Sequence, residues 1–195
     1  MTRAKLIPAP RALALPAALA VAVPAALVVA GPAAATAAEP TAPALAPPLA
    51  TARLVHSDGT PAGLARIISA DGHAVIVVEI TGVPAGPHGL HLHAVGQCAG
   101  PAFLSAGSHL NPAAKAHGID NPAGSHLGDL PNLTADAQGR ISARIHFAGD
   151  PQALATALFD ADGSALVLHA GPDDYKTDPA GNSGSRIVCG VLTKG

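Results

Sequence analysis

The chain has 195 residues, of which 49% are hydrophobic, 12% charged and 2% aromatic, and its formal net charge is -2. That balance leaves no basic footprint for nucleic acid, and three Phe with one Tyr offer few platforms for stacking single strands. The apolar content argues against an intrinsically disordered chain, and ten His in so plain a composition call for an explanation, because imidazole is the commonest side-chain metal ligand.

At the start, Arg3, Lys5 and Arg11 precede an uncharged run of Ala, Val and Leu over residues 12–30, and Ala35-Thr36-Ala37 offers a small-residue cleavage site. This is the pattern of a secretory signal peptide over residues 1–37. The alternative is a retained membrane helix, since the run is long enough to span a bilayer. Pro16 and Pro24 weigh against that helix. Cleavage after Ala37 removes three of the 11 Lys and Arg and none of the 13 Asp and Glu, so 8 basic against 13 acidic residues leave a charge of -5. Residues 38–50 hold Pro40, Pro43, Pro47 and Pro48 among Ala and Thr and read as an extended linker. The folded domain is expected over residues 51–195.

Within that domain, short β runs alternate with turn residues. Residues 52–57 lead to Asp58-Gly59, and residues 64–69 lead to Asp71-Gly72. Residues 74–81 are rich in Val and Ile, which favour strands. Residues 89–93 are a short run. Residues 94–131 have no clean period, and an irregular stretch of that length is usually functional. Asp136 to Gly139 has hairpin-turn composition. Residues 141–147 alternate apolar and polar side chains, as a half-buried strand does. Residues 152–158 are a helix candidate, and residues 165–169 and 186–192 close the set. Many short strands with Gly and Asp turns predict an all-β sandwich or barrel.

Cys98 opens the irregular stretch and Cys189 lies in the last strand. An even Cys count in an exported chain favours a disulfide over two free thiols. No C-x-x-C spacing supports a metal role for them.

His91 and His93 are two residues apart, so on a strand they share a face and can converge on one ion. His109, His117, His126 and Asp129 follow within the irregular region, and three imidazoles with one carboxylate make a tetrahedral set suited to zinc. His169 ends an apolar strand, and Asp173 follows four residues later. His88 reads as a brace for the His91–His93 strand, and His56, His73 and His146 as surface or turn residues.

In this order the motifs resemble the copper/zinc superoxide dismutase family. The resemblance is carried by Gly86-Pro87-His88-Gly89-Leu90-His91-Leu92-His93, Ser105-Ala106-Gly107-Ser108-His109-Leu110-Asn111-Pro112, His126-Leu127-Gly128-Asp129-Leu130 and Gly181-Asn182-Ser183-Gly184-Ser185-Arg186-Ile187-Val188-Cys189-Gly190. It covers about residues 52–192. It implies an all-β, Greek-key, immunoglobulin-like sandwich or flattened barrel of about eight antiparallel strands with long metal-binding loops. It implies copper on His91, His93, His109 and His169, and zinc on His109, His117, His126 and Asp129, with His109 shared. Asp173 would tie His91 to His117. Arg186 would attract the anion and, with His109, take part in catalysis. Cys98 and Cys189 would form the disulfide. The implied reaction converts superoxide to O2 and H2O2.

Two departures stand out. The stretch from His169 to Arg186 holds one Lys, Lys176, beside Asp174 and Asp178, and Lys176 reads as a solvated surface residue rather than a steering one. Residues 99–104 form an additional stretch before Ser105, which resembles the bacterial, exported branch. The partner implied is superoxide, with no nucleic acid and no membrane beyond an uncleaved N-terminal segment, and the sequence leaves open whether a second copy of the chain completes a homodimer. The location implied is periplasmic, extracellular or in the cell envelope. The rival reading is a non-catalytic exported copper- and zinc-binding protein on the same fold.

Overall fold

The computed structural model describes residues 47–147 and 150–195. The expected signal segment over 1–37 and residues 38–46 of the linker lie outside the described residues. In chain order the strands are β1 (Ala50–His56), β2 (Pro61–Ala70), β3 (His73–Ile80), β4 (Gly86–His88), β5 (Leu90–His93), β6 (Leu133–Ala135), β7 (Ile141–Phe147), β8 (Ala165–His169), β9 (Arg186–Val191) and β10 (Thr193–Lys194). One helix, α1 (Pro151–Leu158), lies between β7 and β8. Among the described residues no helix is long and apolar enough to cross a membrane.

The main sheet runs β5-β8-β9-β1-β2-β3-β7, with β10 added on β1, and every pairing is antiparallel. The ribbon β4-β6 joins its two ends, because β4 continues through Gly89 into β5 and β6 lies against β7. The all-β architecture expected from the alternating runs is the one observed. β2 and β3 meet at Asp71-Gly72, both with positive φ (52° and 78°), the two-residue turn whose twist matches paired strands. α1 starts where Asp150 accepts hydrogen bonds from the Gln152 and Ala153 amides ahead of Pro151 in the first turn.

Three elements differ from the sequence reading. The run at 89–93 holds β5 alone, and a further strand, β4, precedes it across Gly89. β4 contains Pro87, which demotes a strand by pattern, yet it survives because it pairs on one side only. β6 and β10 have three and two residues, too few to show a period.

The core sits inside the curled sheet. Leu54 of β1, Ile67 of β2, Ile76 and Val78 of β3, and Ile141 and Ile145 of β7 are buried there. β5 and β8 are buried on both faces, which is why their runs do not alternate. In β8, Leu166 and Leu168 enter the main core, while Ala165 and Val167 pack with Phe103, Ala106 and Cys189 in a second cluster. In β5, Leu90 and Leu92 enter the core, leaving His91 and His93 on the opposite face.

Cys98 and Cys189 form a disulfide with Cα atoms 5.7 Å apart, closing 91 residues of chain. It pins the start of the irregular stretch to β9. In the chain-entropy picture a loop of that size gains about 4.6 kcal/mol, a model-dependent figure. The Cys98→Ser variant should therefore lose about 2–5 kcal/mol of unfolding free energy. A chemical-denaturation midpoint unchanged from the oxidised parent would contradict this.

Candidate metal centre

β5 is the spine of the site. The Leu92 amide donates to Gly128 O, while its carbonyl accepts from the Leu110 amide, and the Gly128 amide donates to Leu110 O. These three bonds of 2.8–2.9 Å lay the segments around His109 and Asp129 beside β5. A Cβ on Gly128 would collide with the Leu92 carbonyl, so only glycine permits this approach. The irregular stretch shows no period because it reaches the core only at scattered points, Phe103, Ala106, Leu110 and Leu130, and otherwise folds around the donor side chains.

The structure brings His91, His93, His109 and His169 together, and separately His109, His117, His126 and Asp129. A third group joins His91, His117 and Asp173. All seven metal-ligand candidates and Asp173 are buried.

Each imidazole of the first set has one nitrogen tied and one free. His91 Nε2 donates to Asp173 Oδ2 at 2.7 Å, His93 Nδ1 to Gly107 O at 3.0 Å, and His169 Nδ1 to Gly184 O at 3.1 Å. The nitrogens left over are His91 Nδ1, His93 Nε2, His109 Nε2 and His169 Nε2, all buried without a hydrogen-bond partner. A buried polar atom without a partner costs about 1–3 kcal/mol. Among the described residues six buried side-chain N and O atoms lack one, and five are imidazole nitrogens of these two sets. A shared cation is the partner that accounts for that concentration.

The second set has tetrahedral dimensions. Asp129 Oδ1 lies 2.9 Å from His109 Nδ1, 3.1 Å from His117 Nδ1 and 3.1 Å from His126 Nδ1, and the His109 and His126 Nδ1 atoms are 3.4 Å apart. Four donors about 2.0–2.1 Å from a central Zn²⁺ would stand about 3.3 Å from one another. Asp129 Oδ2 is engaged elsewhere, accepting from the Gly118 and His126 amides at 2.8 and 3.0 Å. One carboxylate oxygen thus serves the backbone and the other faces the three imidazoles.

Asp173 links the sets, its Oδ1 accepting from His117 Nε2 at 3.0 Å and its Oδ2 from His91. Residues that sequence reasoning missed hold it in place. The Asn132 side chain donates to Asp173 O and accepts from the Asp173 amide, both at 2.8 Å. Tyr175 OH accepts from the Asn132 amide at 2.7 Å. Gly181, at φ 59°, lies so close that a Cβ would collide with Asp173 Oδ1. The one available signal was the chain's single Tyr, two residues after Asp173.

Arg186 begins β9 opposite His169. Its Nη1 donates to Phe103 O and its Nη2 to Gly107 O, both at 2.7 Å. His88 is buried, its ring nitrogens 2.7 Å from His169 O at the end of β8 and 2.8 Å from Pro84 O. Lys176 is exposed, as are His73 and His146, while His56 is half-buried at the end of β1.

The electrostatics favour neutral imidazoles. Burial, then the neighbouring His109, pushes His93 down to about 2. Burial, then His91, pushes His169 to about 3, and burial takes His109 to about 4. Unprotonated nitrogens are what a cation requires. Burial alone would raise Asp129, but the His109 hydrogen bond and the Gly118 amide outweigh it and hold the carboxyl at about 2. Burial would also raise Asp173, and the bonds from His91 and His117 carry it below the usual carboxylate range. Burial lowers Arg186, whose guanidinium remains charged.

A family model described as copper/zinc superoxide dismutase (SODC) matches residues 62–192. The protein named superoxide dismutase (Cu-Zn) 2 of Aquifex aeolicus is 40% identical over 146 residues, covering 73% of this chain and 85% of the relative. The superoxide dismutase (Cu-Zn) of Caulobacter vibrioides is 41% identical over 152 residues, covering 73% and 84%. The crystal structure of a SOD-like protein from Bacillus subtilis superposes with a TM-score of 0.68 at 38% identity, covering 73% of this chain and 97% of that one. With its donor sets, disulfide and curled sheet in place, the chain belongs to the copper/zinc superoxide dismutase family.

Proposed function

We propose that this chain dismutes superoxide, with His91, His93, His109 and His169 holding copper and His109, His117, His126 and Asp129 holding zinc. The observation that carries the reading is the set of partnerless buried imidazole nitrogens next to Arg186. Four imidazoles suit copper, and three with a carboxylate suit zinc. Copper, when bound, supplies a one-electron couple by which one superoxide gives up an electron and leaves as O2 while a second takes that electron with two protons and leaves as H2O2, and zinc supplies fixed positive charge behind His109.

The chain's own residues do the rest. His109 would be held through Nδ1 by the His117, His126 and Asp129 set, so its Nε2 would be free to hold a proton for the departing peroxide. Arg186 uses two of its five N–H donors on Phe103 O and Gly107 O, which leaves three for a small anion. Its charge also draws that anion in from solvent. Asp173 fixes the orientation of a ring in each metal set, so the two sites are set together.

On the same reading the chain is exported on residues 1–37, cleaved after Ala37, and carries residues 38–50 as a linker ahead of the domain at 51–195. The Cys98–Cys189 disulfide supports an oxidising compartment.

The disulfide-bonded protein loaded with copper and zinc should dismute superoxide in a direct decay assay. A fully loaded protein without activity would instead identify a metal-binding protein. Arg186→Ala should slow turnover about tenfold and flatten its dependence on ionic strength while copper stays bound; unchanged turnover would remove its role. His126→Ala should lose zinc in a chelator titration before it loses copper, and equal loss of both would contradict separate donor sets.

A further inference from the structure

Zinc must reach a set whose donors are nearly closed off. The side chains of His109, His117 and Asp129 are 3%, 0% and 1% exposed, and that of His126 is 9% exposed. The solvent edge of His126 faces a cavity of about 390 Å³ that Asp129 also lines. Its walls are largely apolar, with Ile119 and Phe147 among them. Its polar groups are Ser125, His126, Asp129 and His146. His146 is an exposed residue of β7 that the fold does not require, since it projects away from the core between buried Ile145 and half-buried Phe147.

A second cavity, of about 480 Å³, is lined by Arg186, whose backbone pairs with that of His169, together with Ser57, Pro101 and Leu104. The two openings carry opposite charge. A dication arriving beside Arg186 meets a fixed guanidinium, while one arriving at His126 meets the Asp129 carboxylate between low-dielectric walls that concentrate its field. A hydrated Zn²⁺ must also exchange water for protein ligands on the way, and His146 is an imidazole at that opening.

We propose that zinc enters and leaves its donor set through the cavity between His146 and His126, with His146 as a transient ligand, and not through the opening at Arg186. The inference rests on zinc occupying His109, His117, His126 and Asp129. A doorway changes a barrier and not an end state, so obstructing it slows uptake and release by the same factor and leaves affinity unchanged.

The test uses the metal-free, disulfide-bonded chain. Zinc uptake is followed by stopped flow with a zinc indicator, and release by transfer to a chelator. Ala113→Trp places a large ring at the cavity, and Leu104→Trp places one at the other opening. Ala113→Trp should slow uptake and release together by about tenfold with Kd unchanged, and His146→Ala should slow both by about threefold. Leu104→Trp should leave both rates at the parent value. The route is overturned if Ala113→Trp leaves the rates unchanged or Leu104→Trp is the variant that slows them, and the role of His146 is overturned if His146→Ala moves neither rate. Failure of the underlying assignment looks different: the parent chain would take up no zinc, or His126→Ala would hold it as tightly as the parent.

Discussion

One imidazole ring belongs to two donor sets at once. His109 presents Nδ1 to His117, His126 and Asp129, and its other nitrogen lies among His91, His93 and His169. A flat ring with two nitrogens at fixed positions cannot serve both sets unless both are assembled to the same tolerance. That requirement explains why so much of the fold is devoted to one strand. β5 carries His91 and His93 on one face and core leucines on the other, and the backbone of Leu92 holds the segments around His109 and Asp129. Packing of Leu90 and Leu92 into the core therefore sets the position of the ligands.

Asp173 provides the second link between the sets, and it is held as firmly as the ligands themselves. Its backbone is clamped by the Asn132 amide group, its carboxylate is engaged by His91, His117 and the Tyr175 amide, and Gly181 closes over it. Asn132 directly precedes β6, so the carboxylate is referenced to the β4-β6 ribbon rather than left to an exposed loop. On the opposite side the Gly107 carbonyl accepts from both Arg186 and His93. The same loop packs Phe103 and Ala106 against Cys189. The disulfide, the guanidinium and His93 of the first donor set are thus tied through a single short loop, and loosening it would disturb all three.

The readable part of this design was the part written in local chemistry. The alternation in residues 141–147, the Val- and Ile-rich run of β3 and the Asp71-Gly72 turn each express a backbone preference that needs no distant partner. The ligand set was legible because imidazoles are few by default and here are spaced along one ordered series. β4 and β6 were not legible, since they are stabilised by each other across 47 or so residues of chain. Asn132, Tyr175 and the carbonyls of Phe103 and Gly107 were not legible either. Their roles depend on where the irregular stretch 94–131 lies against residues 170–186, and that placement rests on contacts distant in sequence rather than on any local pattern.

The shared ring is the central claim, and anomalous diffraction from crystals loaded with copper and zinc addresses it most directly. Data collected on either side of each metal's absorption edge should place copper among His91, His93, His109 and His169 and zinc among His109, His117, His126 and Asp129, with the His109 ring between them. A single metal position, or two positions of which either excludes His109, would contradict the account.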